Sequence, residues 1–162
     1  GYCMITEKLV GSKFNGIFRC VDMLCFNLGE DVRDKNGASV PEFSFHVQTQ
    51  WRFVKEDEIL LASRDIYVPY NTRIDESEWM YDIVGRADDE SSIFDVIQKS
   101  FHEHFLNAAV SSARVSRVGD LQVTFSNGIV FETFTPSMRK DEFWRLIYIG
   151  ENRENEHFVV FE

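Results

Sequence analysis

The chain has 162 residues, a formal net charge of −10 and a hydrophobic content of 44%. This length and composition favour a single folded domain spanning residues 1–162, and they exclude a disordered chain, which would be poor in aromatic residues. The negative charge repels phosphate backbones, so we expect no nucleic-acid partner, and no apolar run approaches the ~20 residues of a membrane span.

The first predicted strand covers residues 16–29, after an entry segment at residues 4–15 that has no clear pattern. Both alternating rows of its side chains are largely apolar, which predicts a strand covered on both faces. Cys20 and Cys25 would then point to opposite faces, so we expect no disulfide between them. With Cys3 the cysteines number three, and no CxxC pair is present. This usage is typical of a reduced, cytoplasmic protein.

Residues 43–53 alternate between apolar side chains at odd positions and polar side chains at even positions. A strand of this length would span ~36 Å, so we expect a bulge or bend within it. The polar row is interpreted as the solvent side of a half-covered sheet. The alternative is a ligand-binding face, formed by His46, Gln48, Gln50 and Arg52. Residues 59–69 should pair with residues 43–53 as an antiparallel hairpin that ends at Pro69.

Residues 70–92 form an irregular acidic segment, which we expect Trp79 and Tyr81 to anchor to the body of the protein. Aromatic side chains among charges are typical of the residues that dominate protein interfaces. The candidate partner-binding residues are Asp75, Glu76, Glu78, Trp79, Tyr81, Asp82, Asp88, Asp89 and Glu90. The alternative is a plain solvated connection. Calcium binding is not indicated, since the DxDxDG spacing is absent.

One main helix is predicted near residues 92–107. Ser92 can cap its first turn, with Asp95 three residues later as in a capping box. An apolar face follows at helical spacing, with Ile93, Ile97, Phe101, His104, Phe105 and Ala108. We expect His104 to be packed or half-buried at the edge of this face. His102 and His104 point too far apart on a helix to share a metal ion.

Strands are predicted again at residues 109–118, 120–134, 142–150 and 157–162. Asn127 and Gly128 form a hairpin turn that allows two registers. The register with a three-residue loop pairs Phe125 with Ile129 and directs Glu132 away from the apolar face, which avoids burying a carboxylate. The chain is therefore predicted to be α+β. We expect a curved, mainly antiparallel sheet of about seven strands, or two packed sheets, with one docked helix.

Charged residues inside apolar strands require partners. Arg19, Asp22, Arg64 and Asp65 are interpreted as ion pairs that fix strand register. The alternative is that they line a concave ligand-binding face, and a small-molecule site would then use Arg19, His46, Arg64 or Arg145.

Catalytic signatures are missing from the sequence. Neither a phosphate-binding glycine loop, a nucleophile elbow nor a metal-ligand spacing is present. Cys25 and His46 form a nucleophile–base pair only if the fold brings them together. We therefore expect no enzymatic activity, no cofactor and no metal. The tryptophans of Trp51-Arg52 and Trp144-Arg145 are interpreted as core anchors, with the arginines at the surface.

The succession "RCVDMLCFNLG", "FHVQTQWRF", "ASRDIYVP", "GDLQVTFSNGIVFETF" and "FWRL" resembles small acidic bacterial proteins encoded beside polymorphic or contact-dependent toxins, which act as immunity proteins. The resemblance implies a non-catalytic cytoplasmic protein that neutralises a toxin by occluding a basic surface, with a cationic toxin domain as its partner. Two other functions stay open. One is a structural or adaptor domain, for example a homodimer through a strand edge, and the other is a small-molecule-binding domain or enzyme built in a curved sheet.

Overall fold

The architecture comes from a computed structural model that describes the backbone of residues 2–150 and 155–159 and the side chains of residues 5–150. Two α-helices are present there, α1 (Tyr2–Leu9) and α2 (Ile93–Gln98). Four 3₁₀ helices cover Ser63–Ile66, Glu76–Glu78, Asp88–Glu90 and Phe101–Phe105. The strands are β1 (Phe14–Cys20), β2 (Met23–Arg33), β3 (Ser39–Val47), β4 (Gln50–Lys55), β5 (Glu58–Ala62), β6 (Val110–Val115), β7 (Leu121–Phe125), β8 (Ile129–Phe134), β9 (Trp144–Ile149) and β10 (Asn155–Val159).

The strands form two five-stranded sheets, in the orders β1-β2-β3-β9-β10 and β5-β4-β8-β7-β6. All neighbouring strands are antiparallel. The α+β class and the antiparallel pairing are thus confirmed, and the choice between one sheet and two is resolved in favour of two. The predicted count of about seven strands is too low for the part of the chain described. Of the strand predicted at residues 157–162, residues 160–162 lie outside the described residues.

The single strand predicted at residues 16–29 is wrong, because the chain turns back at Val21 and Asp22 and pairs Cys20 with Met23. The buried row is at odd positions in β1 and at even positions in β2. This change of phase explains why both rows look apolar. Cys20 and Cys25 consequently lie on the same face of the hairpin, and both are free thiols.

The long alternating strand bends at Gln48 and Thr49, as expected. Its first part is β3 in one sheet and its second part is β4 in the other. The odd positions face the core throughout, and Trp51 and Phe53 are 2% and 0% exposed. β4 pairs with β5 as predicted, but the hairpin ends at Ala62, where a 3₁₀ helix begins.

The two sheets pack face to face through aromatic rings. The ring of Phe26 in one sheet lies 5.1 Å from that of Phe53 and 4.8 Å from that of Phe131 in the other. Each such buried ring contributes about 1.5–3 kcal/mol to stability through removal of apolar surface from water. The β7–β8 hairpin adopts the predicted register, since Gln122 pairs with Glu132 and the Glu132 carboxylate points away from this core.

The predicted helix at 92–107 is much shorter than expected. Ser92 caps it by accepting a hydrogen bond from the backbone N–H of Asp95 at 3.0 Å, as predicted. α2 then ends at Gln98, and residues 101–105 form a 3₁₀ helix instead. Among the described residues, no helix has the length and apolar character that a membrane span requires.

Packing of two phenylalanine rings accounts for the break in the helix. Phe105 stacks on Phe14 of β1 with ring centroids 4.2 Å apart, and Phe101 lies 5.0 Å from Phe53 of β4. The 3₁₀ turn directs both rings into the core, and tertiary contacts of this kind override helix propensity. His104 is left exposed, so the prediction that it is half-buried is wrong.

Candidate functional site

The candidate site is built around the segment between β5 and α2, which carries the predicted partner-binding residues. Short turns, not regular elements, shape this segment. Asp75 caps the Glu76–Glu78 turn by accepting hydrogen bonds from the Ser77 backbone N–H at 3.0 Å and from the Ser77 hydroxyl at 2.7 Å. These two bonds lower the pKa of the Asp75 carboxyl. The carboxylate therefore stays charged while it orders the backbone around it.

Arg19 on β1 fastens the segment to the sandwich. Its Nε and Nη2 atoms donate to the two Asp95 carboxylate oxygens of α2, both at 2.8 Å. It also donates to the backbone carbonyl oxygens of Val21 at 2.7 Å and Tyr81 at 2.6 Å. The Arg19 side chain is only 1% exposed. One buried guanidinium thus joins the β1–β2 turn, the acidic segment and α2, and its donors are matched by acceptors as a buried charge requires.

The β1–β2 turn forms part of the same surface. The Tyr67 hydroxyl donates to an Asp22 carboxylate oxygen at 2.6 Å, and the Tyr67 ring lies 4.6 Å from that of Tyr81. Burial, the hydrogen bond to Asp22 and the Asp22 charge raise the pKa of Tyr67 to about 12. Val21 has a φ of 57°, a left-handed backbone conformation that is strained for a β-branched residue. The turn is therefore fixed in place at a conformational cost.

Half of the net charge of the protein lies in this segment. Residues 70–90 contain seven acidic and two basic residues, a balance of −5 out of −10 for the whole chain. The structure leaves Asp75, Glu76, Glu78, Asp82, Asp88, Asp89 and Glu90 exposed. Among these carboxylates, that of Asp88 forms an ion pair with Lys99. Trp79 and Tyr81 differ from the acidic residues in being half-buried. The predicted carboxylates are thus exposed to solvent, on a backbone segment that Trp79 and Tyr81 anchor to the protein.

Exposed apolar side chains lie among these carboxylates, and sequence reasoning missed them. Seven of the twelve large hydrophobic residues found exposed among the described side chains belong to the β1–β2 turn region or to residues 67–84. These seven apolar residues are Phe18, Val21, Tyr67, Tyr70, Met80, Ile83 and Val84. Together with the exposed carboxylates of residues 75–90, they form the surface that we call the acidic–apolar face. Clustered exposed apolar surface marks interaction sites.

Trp79 has a specific role in holding this face. Its indole N–H donates to the Glu90 backbone oxygen at 2.9 Å, and the Arg86 guanidinium lies 5.0 Å from its ring centroid. The indole therefore links the middle of the acidic segment to its C-terminal end and supports a cation. Tyr81 packs against the hydrophobic core. The expectation that both aromatic residues anchor the segment agrees with these contacts.

The polar row of residues 43–53 is divided between the two sheets. His46 lies on the outer side of β3, where Arg145 Nε donates to its Nδ1 at 3.3 Å. Arg52 lies on the outer side of β4, where it forms an ion pair with Glu132 at 2.5 Å. Gln48 lies in the bend between the sheets, and Gln50 is the first residue of β4. The row is thus spread over two outer surfaces and the corner that joins them.

The interpretation of the strand charges as pairs that fix register needs correction. Arg19 pairs with Asp95 of α2, not with Asp22. Asp65 accepts a hydrogen bond from the Ala62 backbone N–H at 2.8 Å, so its carboxylate closes a local turn. Arg64 is exposed in the same 3₁₀ helix. Arg19, Asp22 and Asp65 therefore bind helix, loop and turn groups and do not pair neighbouring strands.

The four residues predicted as alternatives for a small-molecule site lie in three different places. Arg19 lines one depression next to α2, whereas His46 and Arg145 line another at the outer side of β9. Arg64 lies apart in the 3₁₀ helix after β5.

The fold does bring Cys25 and His46 opposite each other on β2 and β3. Burial and the nearby Cys20 raise the pKa of the Cys25 thiol to about 11, so it is protonated at neutral pH and a poor nucleophile. No group of three or more His, Cys, Asp or Glu side chains within the described part of the chain is placed to hold a metal ion.

The chain matches no protein-family model, no curated protein and no solved structure. Its function must therefore be inferred from the geometry and electrostatics of the chain itself.

Proposed function

We propose that this protein is a non-catalytic, cytoplasmic binding protein that neutralises a cognate bacterial toxin by covering a cationic surface of the toxin. The observation that carries the proposal is the acidic–apolar face. It combines a charge of −5 over residues 70–90 with seven exposed apolar side chains. Both are held on a rigid sandwich by the Arg19 contacts.

The carboxylates and the apolar side chains of this face contribute to binding in different ways. The carboxylates attract a cationic partner over long distances and accelerate encounter. The apolar side chains supply contact area that loses water on docking, and interface energy concentrates in such residues. Met80 and Val84 are 59% and 64% exposed, so both are available for contact in the free protein. A rigid scaffold limits the entropy that is lost when the complex forms.

A toxin that cleaves nucleic acid has a basic cleft shaped for phosphate, and surface carboxylates are the protein groups that match such a cleft. The charge of the whole chain, −10, favours the same class of partner. The resemblance to immunity proteins agrees with this chemistry.

Co-expression in bacteria with the toxin encoded by the adjacent gene tests the proposal through cell survival. The unaltered protein should restore growth. The triple variant Asp75→Lys, Glu76→Lys, Glu78→Lys should fail to do so, because it replaces attraction by repulsion at the acidic–apolar face.

A matched control separates the face from the overall charge. Glu56→Lys, Asp57→Lys, Glu58→Lys changes three exposed acidic residues of the β4–β5 turn. Both triple variants have a net charge of −10 + 6, or −4. The control variant should still protect the cells. Equal loss of protection by both variants, or no protection by the unaltered protein, would contradict the proposal.

A further inference from the structure

A cationic pocket lies within the acidic surroundings of α2. It is a depression of about 380 Å³ bordered by the Arg19–Asp95 ion pair, and its walls include Arg86 and Lys99. Three cations and one carboxylate give its lining a balance of +2. Arg19 and Lys99 form ion pairs with Asp95 and Asp88, which leaves Arg86 as the cation of this lining without an ion pair among the described residues.

The Arg86 guanidinium is the unusual group in this pocket. Its Nε and Nη2 atoms are buried and have no hydrogen-bond partner among the described residues. Buried donors of a charged group are normally paired, because leaving them unpaired forfeits the hydration that they had in water. The Trp79 ring, 5.0 Å from the guanidinium, helps to fix its position. Arg86 is therefore held in place with an unused pair of donors.

The contacts of Arg19 indicate what kind of group the Nε and Nη2 donors of Arg86 can bind. Arg19 Nε and Nη2 donate to the two oxygens of the Asp95 carboxylate, each at 2.8 Å. A guanidinium edge presents two parallel N–H groups whose spacing fits a carboxylate. Arg86 thus offers a second copy of a recognition geometry that the protein already uses once.

Apolar side chains at the same pocket define the rest of the ligand. Phe18 and Val84 line it and are 47% and 64% exposed. Lys99, which pairs with Asp88 outside the pocket lining, adds a second cation at the wall. A ligand with one carboxylate and a short apolar body would satisfy both kinds of lining.

We propose that this pocket, named here the Arg86 pocket, binds a carboxylate carried on a short apolar body, with Arg86 Nε and Nη2 as its donors. The ligand is a free small carboxylic acid or the carboxyl end of a peptide. Entry requires a local movement of the chain, since both nitrogen atoms are shielded from water. Gly85, exposed and with φ of 79° and open space around it, allows that movement. The site does not depend on the toxin-neutralising function.

Titration with small probes, followed through the Arg86 Nε–H signal in a nitrogen–proton NMR correlation spectrum, tests the pocket. The probes are isovalerate for a free acid, N-acetyl-leucine for a peptide end, N-acetyl-leucinamide as a neutral analogue and inorganic phosphate as a tetrahedral anion. Disappearance of one signal in Arg86→Lys assigns it. At least one carboxylate should shift this signal saturably, and whichever carboxylate binds more tightly identifies the source.

The affinity for the carboxylate should fall roughly tenfold or more in Arg86→Gln, since hydrogen bonds to a charged donor are lost. Binding to this variant is measured through the Gly85 amide signal. Arg64→Gln, which alters an exposed arginine outside the pocket, should leave affinity unchanged. Phe18→Glu places a competing carboxylate at the exposed rim and should abolish binding if Arg86→Gln fails to fold. The inference is overturned by absence of a saturable shift, by equal response to the neutral amide, by tighter binding of phosphate, or by an affinity that is unchanged in Arg86→Gln or in Phe18→Glu.

Discussion

Tyr67 shows how a single residue connects folding to surface chemistry. Its hydroxyl donates a hydrogen bond to Asp22 in the β1–β2 turn, although the residue is 43% exposed. The hydrogen bond has to be broken or shared when the phenol ionises beside a carboxylate. The residue is therefore both a structural tie and a part of the acidic–apolar face.

The pKa of Tyr67 predicts a pH dependence at alkaline pH. Its ordinary value is 10.0 and the folded value is about 12, so the folded protein holds this proton more tightly than the unfolded chain does. The contribution of Tyr67 to stability is complete below pH 10 and is lost as pH rises from about 10 to about 12. Denaturant unfolding at a series of pH values should show this loss in the unaltered protein and not in Tyr67→Phe.

The tyrosinate absorbance of the native protein provides an independent measurement. Subtraction of the Tyr67→Phe titration from that of the unaltered protein should isolate a step near pH 12. The exposed Tyr70 is the matched control, and Tyr70→Phe should leave that step in place. A subtracted step at the ordinary value of tyrosine would mean that the bond to Asp22 does not form in solution.

At the scale of elements, the Arg19–Asp95 pair decides how β1, α2 and the acidic segment are joined. Arg19→Met should lower the free energy of unfolding by about 3 kcal/mol, because the Asp95 charge loses its partner in a mostly buried position. The double variant Arg19→Met, Asp95→Leu should recover most of this loss. Urea denaturation of the single and double variants measures both values.

The double variant should recover stability without recovering the hydrogen bonds that hold the acidic segment. The carbonyl groups of Val21 and Tyr81 lose their arginine donor in both variants. Faster amide hydrogen exchange within residues 79–86 is therefore expected even in the stable double variant. Native protection of these amides in the double variant would show that Arg19 is only a stabilising residue.

The β1–β2 turn carries strain that substitution can relieve. Val21 has a φ of 57°, which is unfavourable for a β-branched residue. The residue is 54% exposed, so burial of its side chain in the free protein does not offset this strain. Val21→Asn should raise the free energy of unfolding by about 1 kcal/mol, since asparagine adopts the left-handed conformation more readily. Thermal or urea unfolding provides the measurement.

Val21→Ala is the control for loss of the apolar side chain, because alanine removes bulk without the preference that asparagine has for this backbone conformation. Val21→Ala should stabilise less than Val21→Asn, while both should weaken the proposed neutralisation of a toxin. A gain in stability with unchanged neutralisation would show that Val21 is not part of the docking surface.

For the whole molecule, charge and apolar contact should control different rates of complex formation. The association rate with the proposed toxin partner should fall roughly tenfold between about 0.05 and about 0.5 M salt, because exposed charges are screened. Met80→Ala should instead raise the dissociation rate, also roughly tenfold, because it removes contact area without changing charge. Surface plasmon resonance separates the two rates. An association rate independent of salt would contradict the electrostatic part of the proposed function.

Properties that depend on near neighbours in the chain could be predicted from the amino-acid pattern. Alternation in residues 43–53 identified the side chains that face the core, because a strand directs successive residues to opposite sides. The cost of burying a carboxylate selected the register that turns Glu132 outward. Ser92 marked the start of α2, because a cap bonds within one helical turn. The concentration of acidic residues in 70–90 was also evident in the sequence.

Contacts between distant segments depend on tertiary packing and could not be predicted from the local pattern. Arg19 finds Asp95 across 76 residues of chain, a partner that no local pattern specifies. Ring packing by Phe101 and Phe105 replaced the second half of the predicted helix with a 3₁₀ turn. The apolar half of the acidic–apolar face comes from the β1–β2 turn region and from residues 67–84. Folding joins these two segments through the contacts of Arg19 and Tyr67 and places Phe18 and Val84 at one depression.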